Sequence, residues 1–295
     1  MAFQDISYQR HADQFAQELT DQKRLARSET WLKTDTADYW RHARMYEAAA
    51  VLTAKPGDKW LTIGDGRLGL DAIRLRERGV QDVMASDISD TLLKKSKEQG
   101  LITRYAVENA ESLSFSDDEF DYVFCKESYH HFPRPGLALY EMLRVAKHAV
   151  ILIEPNDPDR VLLRRMKHLL KTVLKGNSHV DAGFYEESGN YIYSISKREM
   201  EKVALGLNLP FMATKGLNDH YIDGCEFEPA EWTSPMYRRI RIKCALKDVF
   251  AKTFLYDYNL LMVVLFKQAP SDTVISQFRR HRWDVVRLPR NPYVS

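Results

Sequence analysis

The chain of 295 residues is 44% hydrophobic and 28% charged, which is typical of a soluble globular protein with a sizeable core. No apolar run reaches the roughly 18 residues that span a bilayer, and the N-terminus lacks a signal pattern, so a cytoplasmic location is expected. A net charge of +2 does not favour nucleic acid as a partner, and three separated cysteines predict neither a disulfide framework nor a metal site.

Residues 1–57 carry apolar side chains at helical spacing and show no strand pattern. This segment is predicted to form an N-terminal helical cap that ends at Pro56-Gly57-Asp58. Arg41, His42 and Arg44 lie within it, and a solvated helix face is favoured over ligand contact for these three side chains.

Apolar segments then alternate with helical ones. Strands are predicted over 59–63, 82–86, 102–107, 121–125 and 148–153, and helices over 68–78, 90–99 and 136–146. This alternation predicts an α/β fold with a doubly wound, mainly parallel sheet. In such a sheet, ligands bind at the carboxyl ends of the strands.

Polar clusters follow the predicted strands at that edge. Gly64, Gly66 and Gly69 have GxGxxG spacing after the first strand, and Asp87 ends the second. Three further clusters follow strands three, four and five at 108–113, 126–132 and 154–156. Together they predict one ligand site, because loops on a rigid scaffold commonly carry binding groups.

The run from Trp60 to Glu154 resembles the class I S-adenosylmethionine-dependent methyltransferases in its glycine loop, its acidic Asp87, its Asn-Ala-Glu segment and its Phe-Asp-Tyr-Val-Phe strand. The resemblance implies a seven-stranded Rossmann-like sheet and S-adenosylmethionine as cofactor. The cofactor-binding residues that it implies are Gly64, Asp65, Gly66, Gly69, Asp87, Ile88, Asn109, Ala110, Glu111 and Lys126. Two positions depart from the family pattern, since Thr62 and Asn109 stand where acidic residues are common.

The segment after strand four supplies candidates for the chemistry. His130 and His131 are candidate general bases, because an unperturbed histidine titrates near neutral pH. Glu127 is a further candidate base, and Tyr129 is a candidate substrate contact. Packing within the loop remains an alternative for both histidines.

The second half adds helical insertions to the sheet. A basic amphipathic helix is predicted over 159–175, and its Arg164 and Arg165 are candidate contacts to an acidic acceptor. By the resemblance, strands at 211–222 and 258–267 form an antiparallel hairpin at the sheet edge, with a basic helix over 235–252 between them. The predicted organisation is a cap over 1–57, a methyltransferase domain over 58–269 with lid insertions at about 156–195 and 229–253, and a helix with an extended strap over 270–295.

The predicted function is methyl transfer to a small-molecule or glycan acceptor, with oxygen ahead of nitrogen as the methylated atom. Nitrogen is less favoured because no Asn/Asp-Pro-Pro-Tyr motif follows strand four. A nicotinamide-dependent oxidoreductase shares the GxGxxG and acidic signature, but no Tyr-x-x-x-Lys pair follows strand four. A non-catalytic cofactor binder also remains open, and the sequence predicts no oligomeric state.

Overall fold

Apolar and β-branched runs of the chain form a single mixed sheet. The computed structural model describes residues 3–52, 57–157, 185–186, 188–253 and 256–294. Within these residues the strands are β1 Lys59–Ile63, β2 Asp82–Asp87, β3 Tyr105–Val107, β4 Phe120–Lys126, β5 Ala146–Pro155, β6 Phe211–Leu217, β7 Leu260–Phe266 and β8 Asp284–Arg287. The helix predicted over 159–175, with Arg164 and Arg165, lies outside the described residues.

The strand order is β3-β2-β1-β4-β5-β7-β6-β8. Strands β1 to β5 are parallel, whereas β7 is antiparallel to β5 and β6 is antiparallel to both β7 and β8. The doubly wound, mainly parallel sheet and the antiparallel pairing of the last two predicted strands are therefore confirmed. From β1 the chain adds β2 and β3 on one side of the sheet and then β4 and β5 on the other, so the strand order switches between β1 and β4. A ligand cleft is expected at this switch point.

Within the described residues the sheet has eight strands, one more than the seven predicted. Residues 284–287, expected within an extended strap, pair with Thr214 to Phe211 of β6 and cover the edge of the sheet. Four residues are too few to show a clear alternation of apolar and polar side chains. Strand β3 is also shorter than predicted, because Ile102 is buried beneath Gly69 rather than paired in the sheet.

Helices occupy both faces of the sheet and the N-terminal segment. They are α1 Phe3–Thr20, α2 Gln22–Thr30, α3 Ala37–Ala43, α4 Glu47–Leu52, α5 Leu70–Glu77, α6 Thr91–Glu98, α7 Pro135–Val145, α8 Lys197–Gly206, α9 Pro235–Lys252 and α10 Asp272–Arg280. Short 3₁₀ turns cover Arg44–Tyr46 and Tyr129–His131. Ser196 caps the N-terminus of α8, since its hydroxyl accepts a hydrogen bond from the Glu199 amide at 3.1 Å.

The two faces of the sheet bury separate apolar clusters. In β7, Met262 and Val264 pack into one cluster, while Leu261 and Val263 pack into the other. This alternation explains why the central strands are apolar without interruption, since both of their faces are covered. Tyr46, from the turn before α4, stacks on Phe124 of β4 with ring centroids 5.4 Å apart, and so fixes the N-terminal helices to the sheet.

Arg41 of α3 is buried, so the predicted solvated face is wrong for this residue. Its guanidinium donates to Asp38 at 2.6 Å and to Asp219 at 3.0 Å. None of the helices in the described ranges is both long enough and apolar enough to cross a membrane.

Candidate active site

A cavity of about 850 Å³ opens at the carboxyl ends of β1, β2 and β4. Its walls come from the loops that follow these strands and β3, from α1, and from Tyr185, Glu186 and Ser188. The predicted site residues that line it are Gly64, Asp65, Asp87, Ile88, Asn109, Ala110, Glu111, Lys126, Glu127 and His131. The sheet therefore brings together most of the groups that the sequence placed at its strand ends.

Asp65 has a structural role inside the glycine loop. Its carboxylate accepts from the backbone amides of Asp71 and Ala72, each at 2.9 Å, and thus caps the first turn of α5. The hydroxyl of Thr62 donates to the same carboxylate at 2.8 Å. Burial and the nearby Asp71 raise the pKa of Asp65 well above its usual value. These two amides are therefore not free to bind a ligand.

The glycines of the loop have different tasks. At Gly66 a side chain would place its Cβ 2.6 Å from the carboxyl carbon of Asp87, whereas at Gly69 it would lie 2.9 Å from Ile102. Gly69 also has φ of +66°, a conformation that favours glycine, directly before α5. The absence of a side chain at Gly66 therefore leaves room for the Asp87 carboxylate. Gly69, predicted to contact the cofactor, instead allows Ile102 to pack closely against the start of α5.

Asp87 is the central carboxylate of the cavity. Its two oxygens accept from the Gly66 amide and the Ser89 amide, both at 2.9 Å. Burial raises the pKa of Asp87 to about 6, although these hydrogen bonds oppose the effect. A buried carboxylate of this kind gains from hydroxyl donors that a bound ligand would bring.

The loop after β3 is fixed by its own polar groups. The Asn109 side chain accepts from the Glu111 amide at 3.0 Å. The Glu111 carboxylate accepts from Tyr8 of α1 and from the Arg134 side chain, each at 2.6 Å. Glu111, predicted to bind the cofactor, therefore connects α1 to the loops after β3 and β4. Asn109, Ala110 and Ile88 remain as the wall of the cavity at this end.

Lys126 and Glu127 belong to a partly buried ion network. The Lys126 ammonium lies 3.4 Å from both Asp71 and Glu127, and these two carboxylates outweigh burial and raise the pKa of Lys126. Burial would raise the pKa of Glu127, but Lys126, His42 and Arg41 lower it to about 2. A carboxylate this acidic is a poor base at neutral pH, so the structure argues against Glu127 as the general base.

His130 is not among the residues that line the cavity, and its Nδ1 lies 2.5 Å from the carboxylate of Glu154. Burial lowers the pKa of His130, but the hydrogen bond and charge of Glu154 outweigh it and raise that pKa. The other oxygen of Glu154 accepts from the amides of Ser128 at 3.0 Å and Tyr129 at 2.9 Å. His130 therefore holds the turn after β4, and its predicted role as a base is not supported by its position.

His131 lies on the cavity wall with its Nδ1 2.6 Å from the Glu186 carboxylate. Burial would raise the pKa of Glu186, but the hydrogen bond from His131 outweighs it and lowers that pKa. When Nδ1 carries the proton toward Glu186, Nε2 is left as the basic nitrogen. His131 with Glu186 is thus one imidazole and carboxylate pair on the cavity wall, and His42 with Glu127, 3.5 Å apart, is another.

Tyr129 does not lie where its predicted substrate role requires. Its ring is 2% exposed and packs edge-on against Phe132 and Tyr193 in the apolar cluster below the turn. Arg164 and Arg165 lie outside the described residues, so their roles stay predictions.

Sequence reasoning missed several cavity residues. Tyr8 and His11 come from α1, Asp71 from α5 and Glu186 from the second half of the chain. Asp71 directly follows the glycine loop and could have been considered. Glu186 gives no local signal, because it is 55 residues from His131 in sequence.

Three potential metal ligands also meet here. One ligand atom from each of His130, His131 and Glu186 lies within 4.8 Å of the others. Each histidine Nδ1 already bonds a carboxylate, so these contacts are explained by two hydrogen-bonded pairs. That the site works without a metal stays a prediction.

The residues present fit S-adenosylmethionine. Asp87 offers carboxylate oxygens for ribose hydroxyls, and its place is kept open by the missing side chain at Gly66. Ile88 and Ala110 give apolar contact beside Asn109, whose amide can bond a base edge. His131 lines the same cavity, whose volume of about 850 Å³ is large enough for an acceptor beside the cofactor. A doubly wound sheet with this cleft defines a nucleotide-cofactor enzyme of the Rossmann-like class.

Residues 61–153 match the methyltransferase domain family. The chain is 30% identical over 146 residues to the ubiquinone/menaquinone biosynthesis C-methyltransferase of Shewanella pealeana, covering 45% of this chain and 58% of that protein. It is 33% identical over 104 residues to the 2-methyl-6-phytyl-1,4-hydroquinone methyltransferase of Synechocystis, covering 34% of this chain and 32% of that protein. The chain therefore spans only part of the length of these relatives.

A solved structure shares the fold. It is a chain in the complex of the Haloferax volcanii Trm112 methyltransferase activator with a proposed methyltransferase, at 17% identity and a TM-score of 0.50, covering 78% of this chain and 91% of that one. This chain thus carries a class I S-adenosylmethionine-dependent methyltransferase domain, as the resemblance implied. Its boundaries along the chain stay predictions.

Asp87→Asn is expected to weaken S-adenosylmethionine binding about ten- to a hundred-fold, the loss typical of hydrogen bonds to a charged group. In the parent, hydroxyl donors would favour the ionised carboxylate, so affinity should fall as the pH drops below the Asp87 pKa of about 6. The variant should lose this pH dependence. Isothermal titration calorimetry at several pH values measures both effects.

Asp90→Asn is the matched control, because Asp90 is exposed and lies three residues further along the chain. Gly66→Ala should act like Asp87→Asn, since the new Cβ displaces the Asp87 carboxylate. Unchanged affinity in both Asp87→Asn and Gly66→Ala would remove Asp87 from the cofactor site.

Proposed function

We propose that this protein transfers a methyl group from S-adenosylmethionine to a small-molecule acceptor whose hydroxyl is deprotonated by His131. The methyltransferase domain and its cofactor come from the family match and the fold. The single observation that carries the choice of base is the His131 and Glu186 pair on the cavity wall.

The cofactor, when bound, supplies a methyl group on a sulfonium that is already a strong electrophile. The protein must therefore hold the acceptor in line with that methyl group, exclude water and remove a proton. His131 Nε2 would take the hydroxyl proton of the acceptor, while the cofactor would supply the methyl group and keep the electron pair of the broken bond on its sulfur. Glu186 fixes the tautomer of His131 and stabilises the imidazolium that results.

Water exclusion is assigned to the helices before β1. Tyr8 and His11 of α1 line the cavity, and Tyr8 is tied to Glu111 at 2.6 Å. The imidazole of His11 stands edge-on to His131 with ring centroids 5.9 Å apart. Helix α1 therefore supports the position of the proposed base and closes one side of the cavity.

The acceptor we favour is an aromatic hydroxyl compound of the hydroquinone type. The rings of Phe132, Tyr8 and Tyr185 border the cavity, and such rings stack well on a flat aromatic acceptor. One relative is named as a ubiquinone/menaquinone biosynthesis C-methyltransferase, and another as a methyltransferase of 2-methyl-6-phytyl-1,4-hydroquinone. Loss of a phenolic proton activates both the oxygen and the ring carbons, and we keep oxygen ahead of nitrogen as the methylated atom.

The predicted acidic character of the acceptor rested on Arg164 and Arg165, which lie outside the described residues, so it stays a prediction. The glycan alternative rested on motifs that the sequence lacks and also stays a prediction. The predicted cytoplasmic location and the absence of a nucleic-acid partner likewise stay predictions.

The test is transfer of a labelled methyl group from S-adenosylmethionine to a substituted 1,4-hydroquinone. We expect one methylated product per S-adenosylhomocysteine formed, and nuclear magnetic resonance of the product distinguishes an O-methyl from a C-methyl group. Calorimetry with NAD and NADP should show no competing affinity. Binding of S-adenosylmethionine without transfer to hydroquinones, phenols or glycans would instead identify a non-catalytic cofactor binder.

A further inference from the structure

Helix α9, Pro235–Lys252, has an apolar side that the rest of the described chain leaves uncovered. Ile242, Leu246, Val249 and Phe250 are between 50% and 56% exposed. Their spacing of four, three and one residues places them on one side of an α-helix. We call these four residues the outer face of α9.

The opposite side of the same helix is already buried. Tyr237, Ile240 and Cys244 pack with Ala37 and Cys225 in a small apolar cluster. The helix is therefore anchored to the protein without using its outer face. Four adjacent half-exposed apolar side chains form a patch rather than the scattered exposure that is normal for a soluble protein surface.

Cationic residues surround the outer face. Arg238 and Arg239 are exposed before it, Lys252 is exposed after it, and Arg241, Lys243 and Lys247 lie along its flanks. Arg241 donates to the hydroxyl of the buried Tyr237 at 2.8 Å and Lys247 donates to the Asp219 carbonyl at 3.1 Å, which leaves Arg238, Arg239, Lys243 and Lys252 around the outer face. The acid within α9 is Asp248, which accepts from the Asn218 amide at 2.8 Å. The surface around the apolar patch is thus strongly positive.

Exposed aromatic rings stand next to the two ends of the helix in the chain. Trp232, 57% exposed, precedes α9 and lies 5.0 Å from the Arg241 guanidinium, and Tyr256, 40% exposed, follows it. Aromatic residues beside an apolar and cationic helix face are typical of segments that lie in the headgroup region of a bilayer.

We propose that the outer face of α9 binds the surface of a membrane that contains anionic lipids. The apolar side chains would enter the boundary between headgroups and acyl chains, while the surrounding arginines and lysines contact lipid phosphates. With six cations in 18 residues, the helix would lie along the surface.

Charge complementarity favours a membrane over a second copy of this chain. A symmetric contact between two outer faces would bring the cations that surround each face together, and like charges at an interface oppose association. An anionic lipid surface meets both the apolar and the cationic parts of the face. This inference is independent of the proposed acceptor and base.

The experiment is sedimentation of the full chain with vesicles of phosphatidylcholine alone or with about one third phosphatidylglycerol. We expect binding to the anionic vesicles to exceed binding to neutral vesicles at least about tenfold, and to weaken when NaCl rises from about 0.1 M to about 1 M. Leu246→Glu/Phe250→Glu should abolish vesicle binding, and Arg238→Gln/Arg239→Gln should reduce it only on anionic vesicles.

The matched control is Leu137→Glu/Tyr140→Glu, which changes two exposed apolar residues of α7 and should leave vesicle binding unchanged. Circular dichroism and calorimetric affinity for S-adenosylmethionine should be the same in all variants, because every changed residue is exposed. Equal binding of the Leu246→Glu/Phe250→Glu variant and the parent, or no binding by the parent, overturns the proposal. A parent dimer that this variant dissociates, with no vesicle binding, would assign the face to self-association and also overturn it.

Discussion

His131→Asn is expected to lower kcat for methyl transfer by about 10²- to 10⁴-fold, the usual contribution of a positioned general base. Asparagine keeps a donor near the position of Nδ1, so the contact with Glu186 can persist, but it has no nitrogen in the place of Nε2. Affinity for S-adenosylmethionine should stay close to that of the parent. Fixed-time assays with a labelled methyl donor measure kcat, and calorimetry measures the affinity for S-adenosylmethionine.

Glu186→Gln tests the partner of the base. Glutamine can still accept from Nδ1 but carries no charge to stabilise the imidazolium, so a smaller fall in kcat is expected than for His131→Asn. His148→Asn is the control, since His148 lies near the start of β5, at the opposite edge of the sheet from the cavity. Activity should also be insensitive to EDTA, because the contacts of His130, His131 and Glu186 are explained without a metal. A His131→Asn enzyme with parental kcat would contradict the proposed role of the base.

The fold was largely predictable because its strands are marked locally. Strands β1, β2, β4 and β5 appeared at nearly the predicted positions, since each is an apolar run followed by polar or glycine residues. Burial on both faces requires such runs, so the signal is strong. Strand β8 was missed because its pairing with β6 depends on contacts 70 or more residues apart in sequence, not on its own four residues.

The site was predictable in outline but not in the task of each residue. The strand ends correctly placed Asp87 and His131 at one cavity. Sequence could not show that Asp65 caps α5, that Glu111 joins Tyr8 to Arg134, or that Glu154 forms a hydrogen bond with the ring of His130. These roles depend on which hydrogen-bond donors lie nearby in space. The sequence does not show whether an aspartate or glutamate binds a ligand or a backbone amide of a helix.

Arg41→Met should destabilise the fold by about 3–5 kcal/mol, the cost typical of removing one partner from a buried ion pair. Arg41 is 5% exposed and serves two buried carboxylates, Asp38 and Asp219. Methionine fills a similar volume but leaves both carboxylates short of a partner, although His42 stays 3.3 Å from Asp38 and Arg44 stays 3.4 Å from Asp219. Urea unfolding followed by tryptophan fluorescence measures the loss.

The control and the pH dependence make this prediction specific. Arg104→Met removes a surface pair with Asp82, where both side chains are more than one third exposed, and should cost about 0–1 kcal/mol. Burial raises the pKa of Asp38, but His42 and Arg41 outweigh it and lower that pKa from 3.8 to about 2. Because the folded pKa is depressed, this stabilisation is present above about pH 4 and is lost as the pH falls toward 2. The difference in unfolding free energy between the parent and Arg41→Met should therefore shrink over that window. If Arg41→Met costs no more stability at neutral pH than Arg104→Met does, Arg41 does not hold α3 to the loop after β6.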